Sequence, residues 1–373
     1  MKRFAYAHAA GPSWEACVAA CAGKLGRPGR GLGFAYFTDA LVPHAEGIIR
    51  SLREATGVAD WVGTVGVGVL ATGVEYLDQP ALAAMVADFD AGHYRVFSGR
   101  TRPPAPGERT ADGALASNFA VVHADPQAPD VAGLIADMSS KVESGYLVGG
   151  LSSSRSQTVQ VANDVVSGGL SGVVLASDID LTTRLTQGCA ALPGRHRITQ
   201  CEQNVIVTLD GRPALDVFCE AAGEVLARDL RRAAAFMLVG LPVAGSGRAD
   251  LRSEGDYLVR NLVGIDPKNK LIAVGDIIEQ GQELLFCKRD GASARQDLER
   301  MLEELRGASP APARGALYYS CLGRGEHMFG ERGVELGIVR EALGDLPLVG
   351  FFCNGEISHD RLYGYTGVLT LFH

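Results

Sequence analysis

The stretch LPLVGFFCNGEISHD, from Leu346 to Asp360, starts as a buried strand and then breaks into Cys353, Asn354, Gly355 and Glu356. A strand that only spans a core closes with a turn. This one carries a carboxylate off its end. It also contains a valine–glycine step, Val349-Gly350. The same step stands at Val62-Gly63 in WVGTVGVGVL (Trp61 to Leu70) and at Val148-Gly149 in GYLVGGLSSS (Gly145 to Ser154). Glycine inside a strand marks the close approach of another backbone or of a ligand.

Working outward from each step, the surroundings match. Before Gly63 lie LGFAYFT (Leu32 to Thr38) and PHAEGIIRSLREATG (Pro43 to Gly57), and ALAAMVADF (Ala81 to Phe89) follows. Around Gly149 lie NFAVVHAD (Asn118 to Asp125), DVAGLIADMSSKVES (Asp130 to Ser144) and LSGVVLAS (Leu170 to Ser177). Around Gly350 lie GALYYSCLGRG (Gly315 to Gly325), GERGVELGIVREALG (Gly330 to Gly344) and YGYTGVLTLF (Tyr363 to Phe372). The short apolar runs bounded by Gly, Asp and Pro are strands, and the stretches with apolar residues at helical spacing are helices. Each copy therefore reads strand, helix, strand, strand. The expected fold is α/β, with mixed sheets built from repeated β-α-β-β units and helices covering the sheets.

The material between the second and third copies is less regular. It contains NVIVTLDGRPALDVF (Asn204 to Phe218), a hairpin with Asp210-Gly211 at its turn, and leaves room for a fourth, decayed unit. The expected division is an N-terminal helical extension over 1–30, one domain over 31–218 and another over 219–373.

Hydrophobic residues make up 47% of the chain, which suffices for a large core. The formal charge of −8 argues against a general nucleic-acid binder. Eight scattered cysteines, several inside apolar runs, read as reduced core thiols. Cys17 and Cys21 share a helix face but lack a second pair of matching spacing, so a metal there is disfavoured. No apolar leader is seen, and the longest apolar run, Ala233 to Gly245, is broken by Pro242. The expectation is a cytoplasmic protein that contacts no membrane.

The run YYSCLGRGEHMFG…ELGIVREALGDLPLVGFFCNGEIS, with its closing TGVLTLF, resembles the C-terminal signature of FIST domains. NVIVTLDGRPALDVF and the early GFAYFTD…VGTVGVGVL are similar to the N-terminal half of the same family. The resemblance implies a FIST N-type domain over 31–218 and a FIST C-type domain over 219–373. It implies a bacterial sensory module for signal transduction that binds small ligands, with amino acids as the suggested class. Implied signalling partners are a histidine kinase, a chemoreceptor or a cyclic-dinucleotide enzyme. A subgroup of the family binds haem and senses nitric oxide, so haem enters as a conceivable cofactor.

Candidate ligand-binding residues follow. Cys321 and Arg324 sit where a strand ends and a helix begins, a place that suits an anion. If the units pack alike, Glu356 reaches the same edge, with Asn354 beside it. Arg324 would take a ligand carboxylate and Glu356 its ammonium; the plain alternative is an Arg324–Glu356 structural ion pair. Thr38 and Ser152 occupy the matching ends of the first two units, where capping and turn formation explain them equally well. His196, between Arg195 and Arg197, is the candidate axial ligand for a non-covalent haem, with His44 and His327 behind it. Cys321 or Cys353 with His327 or His359 could imitate a nucleophile and base, but nothing in the sequence orients such a base, and binding without catalysis is the expectation.

Overall fold

The computed structural model describes residues 4–227, 229–243 and 257–373. The first stretch runs β1 (Phe4–Ala10), α1 (Trp14–Leu25), β2 (Leu32–Thr38), α2 (Ala45–Thr56), β3 (Asp60–Gly66), β4 (Gly68–Ala71), β5 (Val74–Leu77) and β6 (Ala81–Ala87). The second runs β7 (Tyr94–Phe97), β8 (Phe119–Ala124), α3 (Val131–Ser139), β9 (Tyr146–Leu151), β10 (Gln160–Ala162), β11 (Asp164–Val166), β12 (Leu170–Leu175) and β13 (Leu181–Gln187). Next come β14 (Cys189–Glu202), β15 (Val205–Leu209), β16 (Arg212–Pro213), α4 (Ala214–Ala227), α5 (Leu230–Phe236), β17 (Met237–Pro242), β18 (Tyr257–Asp266), β19 (Leu271–Val274) and β20 (Glu283–Arg289). The last stretch is α6 (Gly291–Ala308), β21 (Gly315–Cys321), α7 (Glu326–Phe329), α8 (Val334–Leu343), β22 (Leu348–Cys353), β23 (Glu356–Ser358), β24 (Arg361–Tyr363) and β25 (Thr366–Phe372).

The chain forms two compact units, one of residues 1–186 with 295–373 and one of residues 187–294. In the first, β2 lies parallel to β3 and antiparallel to β6. Strand β8 stands in the same relation to β9 and β12, and β21 to β22 and β25. Strands β2, β6 and β25 are buried along their whole length because both faces are covered, which is why they read as unbroken apolar runs. The inner faces share one core that includes Phe34, Val121 and Leu317. Helices α1 and α2 cover the outer face of the first sheet, α3 that of the second, and α6 with α8 that of the third.

The expected strand–helix–strand–strand unit is not what each stretch forms. Between its second and last strands, each stretch inserts a hairpin that pairs with a different sheet. Hairpin β4–β5 joins β22, β10–β11 joins β3, and β23–β24 joins β9. Each of the three six-stranded sheets thus contains strands from distant parts of the sequence. The hairpin strands are three or four residues long, too short to announce themselves by periodicity.

Two further expectations change. The first 30 residues are not a purely helical extension: FAYAHAA forms β1, paired along β6 from Phe4↔Ala87 to Ala10↔Ala81. An alanine-rich run has little strand preference of its own, and the waiting edge of β6 decides it. Cys17 and Cys21 of α1 are buried, their thiols facing the carbonyls of Pro80 and Leu82. Among its described residues, the middle region forms no fourth unit of the same kind. Its paired strands are all antiparallel, in the order β14-β20-β17-β18-β19-β15, and β14 also pairs with β15, closing the sheet on itself. A boundary at 218/219 falls inside α4 of this unit.

Candidate functional site

Alternation along β21 separates its side chains. Tyr318 faces the helical layer and Tyr319 faces the inner core. The strand then ends in a tight turn, with the Arg324 amide donating to the Cys321 carbonyl at 2.8 Å. This turn folds the Arg324 side chain inward rather than out to solvent, and the residue is 1% exposed.

Buried Glu335, on the first turn of α8, holds the guanidinium through Nε at 2.7 Å. Glu335 also accepts from the Tyr318 hydroxyl at 2.6 Å and the Ser320 hydroxyl at 2.9 Å. Its oxygens are therefore satisfied, whereas Nη1 and Nη2 of Arg324 are buried without a hydrogen-bond partner. Burial opposes the arginine's charge, but Glu335 and Tyr318 outweigh it and keep the guanidinium protonated. The guanidinium carbon lies 5.3 Å from the Phe329 ring centroid.

Glu356 opens β23 and is fully buried. Its Oε2 accepts from the Thr366 hydroxyl at 2.7 Å and the Thr366 amide at 3.2 Å, while Oε1 has no partner. Burial pushes this carboxyl up to about 8, with Thr366, Arg324 and Cys321 pulling the other way. Cys321 and Cys353 are register partners on β21 and β22. Burial first, and Glu356 next, push both thiols up, so they are neutral and poor nucleophiles. The bases once paired with them, His327 and His359, are both exposed.

A third acid belongs to the cluster. Glu75 comes from β5, in the hairpin that crosses from the first stretch onto β22. Both its carboxylate oxygens are buried without a partner, and Oε2 lies 3.7 Å from where a Cβ on Gly325 would stand. Burial pushes Glu75 up to about 7, and Glu335 adds to this. The amides of Gly333 and Leu336 and the Arg332 guanidinium pull it down, although neither amide reaches good hydrogen-bond geometry with it.

The other expected residues are occupied elsewhere. Thr38 donates to the Gln79 carbonyl at 2.8 Å and accepts from the Ala81 amide at 2.9 Å, tying the end of β2 to the start of β6. Ser152 is buried and shares a 2.7 Å hydroxyl contact with Thr64. Asn354 is exposed, and its amide donates to the Leu151 carbonyl. In place of an Arg324–Glu356 ion pair, the direct partner of Arg324 is Glu335. His196 bonds through Nδ1 to Asp210 at 2.8 Å with its ring near Phe286, and Arg195 pairs with Glu283. These contacts sit on a half-exposed strand. His44 stacks on Trp14.

The FIST N domain matches residues 31–212 and the FIST C domain residues 214–359. This chain belongs to the FIST family. FIST domains are associated with sensory signal transduction. An uncharacterized Mycobacterium tuberculosis protein is 28% identical over 339 residues, covering 87% of this chain and 86% of its own. A Mycobacterium bovis protein is 33% identical over 215 residues, covering 56% of this chain and 55% of its own. Among the described residues of this FIST protein, no helix is long and apolar enough to cross a membrane.

Two members of the cluster escaped the sequence reading. Glu335 looked like one more polar residue of a helix, and Glu75 lies in a hairpin whose sheet is set by a distant strand. A second buried polar spot contains His123: its Nε2 lies 3.3 Å from the Tyr36 hydroxyl, which lies 2.9 Å from that of Tyr319. Burial pulls His123 down to about 3, so the ring is neutral.

The Glu356 shift makes stability depend on pH. The carboxyl ionises near 4.5 when unfolded and near 8 when folded, so across that window the folded chain holds a proton that the unfolded chain has lost. Stability therefore falls as pH rises, by up to about 1.4 kcal/mol per pH unit for this group. Glu356→Gln is expected to flatten that fall, read by urea unfolding at about pH 5 and about pH 8. A slope identical to the parent's would contradict the assignment.

Proposed function

We propose that this FIST protein is a sensory small-ligand-binding protein, and that its site is the buried cluster of Arg324, Glu356 and Cys321. One observation carries the reading. Two guanidinium nitrogens of Arg324 and one carboxyl oxygen of Glu356 are buried without partners. Natural interiors rarely leave such groups unpaired, and a ligand is one thing that satisfies them. A zwitterion has the right complement, with its carboxylate on the free edge of Arg324 and its ammonium on Glu356. An amino-acid-like ligand is the class proposed.

The role is binding rather than turnover, and the thiols beside the site serve as packing. Eight free cysteines fit a reducing, cytoplasmic setting. The three frames of parallel and antiparallel strands are proposed to descend from one repeated unit. Their hairpins tie each sheet to its neighbours, so a ligand that orders the β21–β22 end biases strands of another sheet. That conformational bias is the proposed signal to a partner such as a histidine kinase, a chemoreceptor or a cyclic-dinucleotide enzyme.

A thermal-shift screen of the twenty amino acids tests this. A ligand at about 100 times its dissociation constant adds roughly 2.7 kcal/mol and raises the melting temperature. The shift is expected to vanish in Arg324→Lys, which keeps the charge and loses the planar fork. No shift with any amino acid would overturn the reading, and a Soret band on adding hemin would favour a haem protein instead.

A further inference from the structure

The side chain of Arg324 is shut from solvent, yet its free edge is the part that the proposed ligand must reach. A ligand can arrive only if a piece of the chain moves. The Phe329 ring is the nearest cover, with its centroid 5.3 Å from the guanidinium carbon. Phe329 is itself half-buried, so its ring touches both the guanidinium and solvent.

Residues 325–333 can move as one piece. They begin at Gly325 (φ 55°) and enter α8 at Gly333 (φ 80°), and glycine takes such left-handed backbone without strain. Between them α7 is a single turn whose amide bonds close on itself. Met328 and Phe329 donate to the Gly325 carbonyl, and Gly330 donates to that of Glu326. None of these bonds joins a strand, so the turn can swing without opening a sheet. Buried Met328 holds it down from below, and ion pairs hold it from outside. Arg332 bonds Glu326 at 2.8 Å within the piece and reaches Asp78, in the turn between β5 and β6, at 3.3 Å. Asp78 also takes Arg155 at 2.6 Å. These pairs are exposed, so each is weak and screened by salt, which suits a latch that opens.

We infer that residues 325–333 are a lid over the ligand site, with Phe329 as its inner face and the Arg332–Asp78 pair as its latch. The inference rests on the ligand-binding reading above. Closed, the ring shuts the guanidinium edge from solvent; open, it admits a carboxylate. The competing role is plain packing, with a ring held over an arginine that never comes uncovered.

Phenylglyoxal reads the opening with no ligand present. This dicarbonyl adds to two guanidinium nitrogens, so it needs the free edge of Arg324. Peptide mass spectrometry of the treated full chain gives the rate at each arginine, with exposed Arg27 as the reference. Arg324 of the parent is expected to react about tenfold or more slowly than Arg27, as a group uncovered only in a minor state. Arg332→Gln is expected to raise the Arg324 rate about two- to fivefold, the scale of one exposed ion pair. Phe329→Ala, which removes the cover itself, is expected to raise it further. Maleimide labelling of buried Cys21 is expected to stay at the parent's rate in both variants. A parent Arg324 that reacts as fast as Arg27 would overturn the lid, as would a rate that neither variant raises. A rise matched at Cys21 would overturn it too, because the whole unit would then be unfolding. The expected rates in a protein that binds no amino acid would support the movement and remove only the ligand-binding reading.

Discussion

Gly350→Ala is expected to prevent the chain from reaching its native state. A Cβ at this position would lie 1.7 Å from the Tyr318 carbonyl oxygen and 2.7 Å from its carbon, both backbone atoms of the adjoining parallel strand. A backbone cannot swing aside as a long side chain can. Strands β21 and β22 would have to part, and with them Cys321, Cys353 and the turn holding Arg324. The cost is expected to exceed about 4 kcal/mol, the exceptional tail of single substitutions, against a total stability of about 5–15 kcal/mol. Soluble yield and the urea midpoint measure it. A melting temperature within a few degrees of the parent's would contradict the strand spacing. Gly63 and Gly149 predict the same outcome, since a Cβ at either would lie 1.8 Å from the carbonyl oxygen of Ala35 or Val122. At Gly149 the φ of 148° adds backbone strain.

The second large effect belongs to Glu335→Gln. The substitution keeps the shape and removes the charge that neutralises Arg324, and both side chains are 0% exposed. Breaking one partner of a buried ion pair costs about 3–5 kcal/mol, because the other charge is left uncompensated. Chemical unfolding measures the loss. The double substitution Arg324→Met with Glu335→Leu is expected to recover much of that stability, since an apolar pair of similar volume carries no desolvation cost. It is also expected to abolish amino-acid binding. A loss below about 1 kcal/mol in the single variant would mean that water reaches the pair.

Much of the candidate site could be read along the chain. Arg324 follows a strand that ends in glycines, and Glu356 follows a strand that breaks after Cys353, so both were visible as polar groups delivered from strand ends. Their proximity follows from β21 and β22 being parallel neighbours, which one helix between two apolar runs implies. Glu335 was not legible as their partner. Its place on the inward side of α8 depends on the helix angle over the sheet, and a charged residue at helical spacing looks solvated until the packing is known. Thr38 and Ser152 differ in another way: their hydroxyls already bond to Gln79, Ala81 and Thr64, groups distant in the chain that no local pattern names.

The amino-acid sequence alone determined the α/β class, the strand–helix–strand order of the three stretches, the valine–glycine steps and the FIST family, because each rests on local pattern or residues close in the chain. Only the tertiary structure decided that the short hairpins leave their own sheets, and hence that Glu75 lies near Glu335 and the start of α8. A strand of three or four residues has too little pattern to choose a partner. The choice is made by whichever sheet edge is left open when the rest of the chain has folded.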